Sequence, residues 1–174
     1  RAECDPASWV AMFRAADKPA EYTCDVLVAG AGMGGIAAAL RAAARGHSVC
    51  LTEDTDWIGG QATAGGVSAL DENRFIEMAG GTRSYQEFRR RIRQYYRERY
   101  TLSKTAARLE DFNPGSCYVS PLCFEPKAGL KALDEMIAPQ GNRIRLFKRT
   151  QVVDLEIRSG VIRAALAYRF DRRD

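Results

Sequence analysis

The chain has 174 residues and a formal net charge of +4 at pH 7. Hydrophobic residues make up 46% and charged residues 28%, a globular composition that excludes a disordered chain. No apolar run reaches the roughly 20 residues that cross a bilayer, so the sequence predicts no membrane span. The length suits one ordinary domain.

Residues 1–21 are predicted to form an N-terminal extension ahead of the main domain, residues 22–174. Apolar side chains at helical spacing predict a short amphipathic helix within residues 6–16. Those side chains are Trp9, Met12, Phe13 and Ala16.

The chain begins with Arg1 and not with Met, so we expect it to be processed or cut from a longer polypeptide. Removal of a signal peptide is one explanation. An exported mature protein and a cytoplasmic protein are both compatible with the sequence, and localisation stays open.

A glycine-rich turn, residues 30–35, joins the first predicted strand to the first predicted helix. The strand covers about residues 24–29, and the helix covers about 33–45 and stops at Gly46. A second strand, about residues 48–53, ends on an acidic side chain. Strand, glycine turn, helix, strand and acid in this order are the dinucleotide-binding fingerprint.

Each part of the fingerprint has a physical role in holding a dinucleotide. Gly30 permits the tight turn, Gly32 lets the backbone approach a pyrophosphate, and Gly35 lets the helix pack closely. The helix N-terminus offers backbone N–H groups and the positive end of its dipole to phosphates. The predicted phosphate-binding turn also includes Met33 and Gly34. Glu53 is predicted to bind ribose hydroxyls, and Asp54 is also predicted to bind the cofactor.

A second glycine pair, Gly59 and Gly60, indicates which dinucleotide binds. It opens a glycine-rich segment within residues 54–81, and a loop of that length inside a compact domain is typical of a functional loop. A nicotinamide domain does not need such a segment, whereas FAD needs small residues along its diphosphate and ribityl chain. The sequence therefore predicts FAD. The cofactor-binding residues predicted in this segment are Gly59, Gly60, Gln61, Ala62 and Thr63.

Residues 83–99 combine an apolar stripe at helical spacing with an arginine-rich stripe. We interpret the arginines as a solvated helix face, with contact to an acidic partner chain as the alternative. Nucleic-acid binding is not predicted, because no nucleic-acid-binding module accompanies the basic patch. The apolar stripe comprises Tyr85, Phe88, Ile92, Tyr95 and Tyr96.

The C-terminal part predicts a helix, a strand and a hairpin. Pro126 suits the first turn of a helix to about residue 138, and Ile144 and Leu146 indicate a third parallel strand. Residues 151–158 and 161–170 flank a Ser-Gly turn and predict a β-hairpin.

The sequence does not identify the catalytic residues. His47, the only histidine, lies in the turn at the end of the sheet opposite the ligand side, so we predict a structural or solvent-facing role. No metal site is predicted. Cys24 and Cys50 are predicted to be buried thiols, whereas pairing of Cys117 with Cys123 stays open.

Taken together, several segments resemble the FAD-dependent oxidoreductase family of the glutathione-reductase-like flavoproteins. The resemblance implies an α/β Rossmann-like FAD-binding domain with a parallel sheet, a crossover helix and an antiparallel β-meander. It also implies that Val152 contacts adenine and that residues 68–72 lie near the substrate. The segments are residues 25–32, Glu53, 57–72, 80–85, 113–117 and 122–126.

By the same resemblance, the chain is incomplete as an enzyme. Two meander strands are present, while a third strand, a substrate domain and a late glycine-acid segment are absent. We expect a second polypeptide, or a removed C-terminal portion, to supply them. The predicted function is oxidation of an unidentified small molecule by hydride transfer to FAD. The alternatives are a non-catalytic flavin-binding or electron-transfer subunit of a larger complex, or a flavin monooxygenase or halogenase.

Overall fold

A computed structural model describes residues 20–170 of the chain. The amphipathic helix predicted within residues 6–16 lies outside the described residues, as does Cys4. The first described element is strand β1 (Val26–Ala29), which starts two residues later than the sequence suggested.

Three parallel strands form the central sheet in the order β1-β2-β3. Helix α1 (Met33–Ala44) connects β1 to β2 (Val49–Thr52), and β3 (Ile144–Phe147) pairs with the other edge of β2. All four residues of β2 are buried, as a central strand requires. The predicted parallel sheet with its crossover helix is confirmed.

Three further helices lie between β2 and β3. Helix α2 (Arg83–Arg99) has the predicted bounds and begins where the Thr82 hydroxyl accepts a hydrogen bond from the Tyr85 N–H. Helix α3 (Lys104–Arg108) is short and was not predicted. Helix α4 (Pro126–Ile137) has proline in its first turn and runs into a 3-10 segment, Ala138–Arg143.

The main core lies between the sheet and its helices. It is lined by small side chains of α1 and by larger apolar ones from β2, α2 and α4. Small residues on α1 allow that helix to lie close to the sheet. The central members are Ile36, Ala39, Ala43, Leu51, Phe88, Ile92, Ala132 and Leu133.

The predicted hairpin consists of β4 (Thr150–Arg158) and β5 (Val161–Arg169), paired antiparallel. It forms a separate two-stranded sheet with a register shift after Val152. Most of its side chains are exposed. Across residues 20–170, none of the helices has the length and apolar character to cross a membrane.

Candidate functional site

The first glycine turn is shaped by main-chain constraints. Gly30 has a φ of +100°, a left-handed conformation that disfavours other residues, and its N–H donates to Thr52 Oγ1 at 3.2 Å. A Cβ at Gly35 would lie 1.9 Å from the Gly30 carbonyl oxygen. The predicted roles of Gly30 in the turn and of Gly35 in close packing agree with this geometry.

The N-terminus of α1 is open toward the expected position of the phosphates. Gly32 is the N-cap, and neither a capping side chain nor an acidic residue occupies the first turn. A Cβ at Gly32 or Gly34 would have no atom within 4 Å. An uncapped helix N-terminus with space in front of it suits an anionic ligand.

The second glycine segment lies directly against the first. The Gly59 N–H donates to the Ala31 carbonyl at 2.8 Å, and Gly32 and Gly59 form an isolated parallel bridge. A Cβ at Gly60 would approach the Gly32 Cα to 3.2 Å. The structure therefore brings together the two segments that the sequence assigned to one cofactor.

Within the second segment, some predicted cofactor residues shape the loop itself. The Thr63 hydroxyl is buried and donates to the Ile58 carbonyl at 2.6 Å, and Ala62 is fully buried. Ser68 likewise donates to the Ala62 carbonyl at 3.1 Å. Gln61 is exposed, and it lines a cavity beside the helix N-terminus.

Glu53 ends β2 in a fixed position. Its side chain is buried, and its Oε1 accepts from the Thr55 N–H at 2.9 Å and the Thr55 hydroxyl at 2.7 Å. The main chain of Glu53 also accepts from the Thr150 N–H at 2.7 Å, which places the start of the hairpin beside it. Asp54 is exposed and Val152 is half-buried. Contacts of these residues with ribose and adenine stay predictions.

A cavity of about 440 Å³ opens next to the N-terminus of α1. It lies between α1, α2 and α4, with the segment of residues 61–71 along one side. Its lining joins residues predicted to hold the cofactor with others that sequence reasoning did not assign. The polar lining residues are Gln61, Asp71, Thr82, Ser84 and Tyr85.

Behind this cavity, a buried charge network overturns the prediction of a solvated arginine face. Arg89 pairs with both Glu72 and Glu77, and Arg93 pairs with Glu77 at 2.5 Å. Tyr85 donates its hydroxyl proton to Glu72 Oε1 at 2.5 Å. Arg89 and Arg93 are buried because these acids neutralise them. The rest of the face is exposed or half-buried, as at Arg90 and Arg91.

Glu72 had been predicted near the substrate face, but its side chain turns into this network. The network ties residues 72–77 to α2 and leaves the neighbouring Asp71 exposed at the cavity. No sequence spacing signals these pairs, because the acids come from a loop without a regular period. The excess of arginine in one helix was the only available hint.

The remaining candidates lie away from the ligand side or hold the structure together. His47 is exposed in the turn before β2, as predicted. Burial raises the pKa of the Cys50 thiol to about 12, whereas Cys24 is half-buried. Cys117 and Cys123 form a disulfide, which answers the question that the sequence left open.

Comparison with known proteins assigns the family. Residues 25–169 match the FAD dependent oxidoreductase family. The match covers most of the chain, and the chain belongs to this family, whose cofactor is FAD. The geometry of the first glycine turn fits that cofactor, since a Cβ at Gly32 or Gly34 would have no atom within 4 Å, and the second segment packs against this turn.

One curated relative is 4-oxocyclohex-2-ene-1-carboxylate 5-dehydrogenase from Sinomonas cyclohexanicum. It is 45% identical over 65 residues, which cover 37% of this chain and 11% of the relative. The chain therefore matches only a small part of that relative's length.

Two solved structures have a similar arrangement. Sdh1 of Mycobacterium smegmatis in complex with UQ1 has a TM-score of 0.48 and 17% identity, covering 85% of this chain and 31% of Sdh1. The 3-ketosteroid-delta4-(5alpha)-dehydrogenase of Rhodococcus jostii RHA1 has a TM-score of 0.49 and 17% identity, covering 90% and 44%. We base no functional inference on likeness of this degree.

Proposed function

We propose that this chain is the FAD-binding portion of an oxidoreductase that oxidises a small molecule. The observation that carries the proposal is the junction of two glycine segments, at Gly32 and Gly59, in front of an uncapped helix N-terminus. Family membership supports it. When bound, FAD supplies the acceptor for a hydride from the substrate.

The residues of the chain bind and orient the cofactor. Backbone N–H groups at the start of α1 receive the diphosphate, and the missing side chain at Gly32 leaves room for it. Glu53 offers carboxylate acceptors to ribose hydroxyls, and Thr55 holds that carboxylate in one orientation.

We further infer that additional polypeptide, from a longer form of this chain or from a partner, supplies a substrate domain and further sheet strands. Exposed apolar side chains support this. Leu27 of the edge strand β1 is 43% exposed, and the hairpin exposes Ile157, Ile162 and Leu166. Exposed apolar side chains that cluster on one element, as on the hairpin, mark sites of interaction in soluble proteins.

The test is to purify the protein with any polypeptide that accompanies it and to record its visible absorption. We expect the absorption of oxidised flavin, and acid-released cofactor that chromatographs as FAD. A protein that binds a nicotinamide dinucleotide but takes up no FAD would refute the proposal. Substrate turnover then separates an enzyme from an electron-transfer subunit, which holds flavin without oxidising a small molecule.

A further inference from the structure

The cavity beside α1 adjoins the predicted FAD site. Met33 and Gly34, from the predicted phosphate-binding turn, contribute to its lining, and so does Gln61 of the second glycine segment. A molecule in this cavity would therefore be next to the bound cofactor. Its volume, about 440 Å³, lies in the range typical of small-molecule sites.

The floor of the cavity is apolar. Aliphatic, thioether and aromatic side chains from three helices and from the loop before Asp71 form it, with no charged group among them. A floor of this composition favours the hydrocarbon part of a ligand through burial of apolar surface. Its principal members are Ile36, Leu40, Leu70, Phe88, Leu133 and Met136.

Most polar groups of the cavity favour a ligand that donates hydrogen bonds, and the Gln61 amide can either donate or accept. Asp71 contributes a carboxylate, which only accepts. The Tyr85 hydroxyl gives its proton to Glu72, so toward a ligand it also acts as an acceptor. Thr82 and Ser84 are partly engaged with each other, their hydroxyl oxygens lying 3.0 Å apart.

No cationic side chain lines the cavity among the residues that the structure describes. The neighbouring arginines, Arg89 and Arg93, are buried behind Tyr85 and paired with Glu72 and Glu77. The positive end of α1, at Met33 and Gly34, is taken by the diphosphate in the proposed function, so a ligand carboxylate would meet Asp71 without a compensating cationic side chain. The cavity therefore disfavours anionic ligands and favours ligands that donate hydrogen bonds.

We propose that this cavity binds the substrate, and that the substrate is an apolar molecule with an amine head group. The proposal rests on the proposed function above and extends it to a substrate class. Because Asp71 is negatively charged, a ligand with an ammonium group should bind more tightly than one with a hydroxyl group, and a carboxylate should bind most weakly.

The experiment uses three probes of equal chain length, n-hexylamine, hexan-1-ol and hexanoate, titrated into the purified protein at pH 7. Backbone amide NMR shifts report both the affinity and the residues that respond. We expect hexylamine to bind most tightly, hexanol more weakly and hexanoate not at all, with the shifts located at α1, α2 and Asp71. Any other order, or shifts that avoid the cavity lining, would overturn the proposal.

Asp71→Asn tests the role of the charge and lies on an exposed position that should tolerate the change. Hexylamine should bind about twofold to fivefold more weakly, as for a solvent-exposed ion pair, and hexanol should be unaffected. Asp111→Asn removes the same charge outside the cavity lining and should change neither. Unchanged hexylamine affinity in Asp71→Asn would contradict the assignment.

The two proposals fail separately. A yellow protein that retains FAD but prefers hexanoate refutes the substrate class and leaves the proposed function intact. A protein that never takes up FAD refutes the proposed function, whatever the order of the probes.

Discussion

Two glycines of one turn, Gly32 and Gly35, are required for different reasons. At Gly35 the main chain already fills the space that a side chain would need, because a Cβ there would lie 1.9 Å from the Gly30 carbonyl oxygen. At Gly32 a Cβ would meet nothing within 4 Å. One glycine therefore serves the fold, and the other leaves space for the ligand.

We predict opposite results for substitutions at the two positions. Gly35→Ala should destabilise the protein by about 1–3 kcal/mol, because backbone must shift to admit the methyl group. Gly32→Val should retain a folded protein and lose FAD binding, because its side chain occupies the space of the diphosphate. Urea denaturation measures the first effect and flavin absorption the second.

Ala38→Val is the control, since it places the same valine side chain at an exposed position of α1. It should change stability only slightly and leave flavin content at the wild-type value. Normal FAD stoichiometry in Gly32→Val would show that the phosphates bind elsewhere.

Glu53→Ala should weaken FAD binding without abolishing it. Lost hydrogen bonds to the ribose correspond to about 1–3 kcal/mol, while the phosphate contacts remain. Part of any stability change arises from the Thr55 groups that Glu53 holds, so FAD affinity is measured by titration at a temperature where both proteins are folded. An unchanged dissociation constant would contradict a ribose contact.

At this scale, the sequence predicted those residues whose role depends on the backbone nearby. Gly30 and Gly35 act within one turn, so spacing alone identifies them. The Tyr85–Glu72 contact depends on how a loop and a helix from separate parts of the chain meet. Local spacing carries no information on such contacts.

Helix α2 shows the same difference between features that the local sequence predicts and features that depend on contacts with other segments. Its bounds follow from the Thr82 cap and the apolar stripe, and both are local signals. The burial of Arg89 does not follow, because an arginine opposite an apolar stripe ordinarily faces solvent. Arg89 can be buried because Glu72 and Glu77, from the preceding loop, fold onto the helix and neutralise its charge.

We predict that Arg89→Met is strongly destabilising. It leaves the buried Glu72 carboxylate without its cation and Glu77 with Arg93 alone, and removing one partner of a buried ion pair costs about 3–5 kcal/mol. Arg90→Met is the control, because Arg90 is 63% exposed and pairs only with Glu87 on the same helix turn. Its effect should stay below about 1 kcal/mol. Equal midpoints of chemical denaturation for the two variants would argue against a buried network.

Tyr85 gives the protein an alkaline limit of stability. Burial, followed by the hydrogen bond to Glu72, raises the pKa of Tyr85 above its ordinary value of 10.0. The stabilisation is therefore complete below pH 10.0, the unfolded-state value, and is lost as the pH rises through the folded-state pKa.

Tyr85→Phe removes this titration, so its stability should decline less steeply than that of the wild type above pH 10.0. The comparison is a series of thermal unfolding measurements at increasing pH. Tyr95, Tyr96 and Tyr100 have pKa values shifted in the same direction and remain in both proteins, so they contribute a common background. Parallel pH profiles would exclude the assignment to Tyr85.

At the scale of the whole molecule, the three parallel strands and the crossover helix were predictable, since each follows from a continuous segment. The Cys117–Cys123 disulfide and helix α3 were not predicted. Residues 101–124 lack a regular period. Their conformation is fixed by contacts such as the hydrogen bond that the Cys123 N–H donates to Asn113 Oδ1 at 2.7 Å. These contacts connect positions that only the folded chain brings together.

The exposed hairpin should make the isolated chain self-associate. Ile162 and Leu166 are 60% and 56% exposed on β5, next to other apolar residues. The double substitution Ile162→Lys with Leu166→Lys should lower the association measured by light scattering at rising concentration, without changing FAD content. Thr101→Lys with Thr105→Lys adds the same charge elsewhere and should have little effect. Equal association of all three proteins would contradict the role of the hairpin.

The junction of the two glycine segments has a consequence for protein engineering. A main-chain hydrogen bond from Gly59 to Ala31 joins the two segments. Main-chain hydrogen bonds from Gly65 to Gly60 and from Val67 to Gln61 hold the second segment itself. The exposed side chains at Gln61, Ala64 and Val67 therefore do not hold the loop in place. A library randomised at these three positions should therefore vary the surroundings of the proposed flavin site while every member keeps the same main-chain framework.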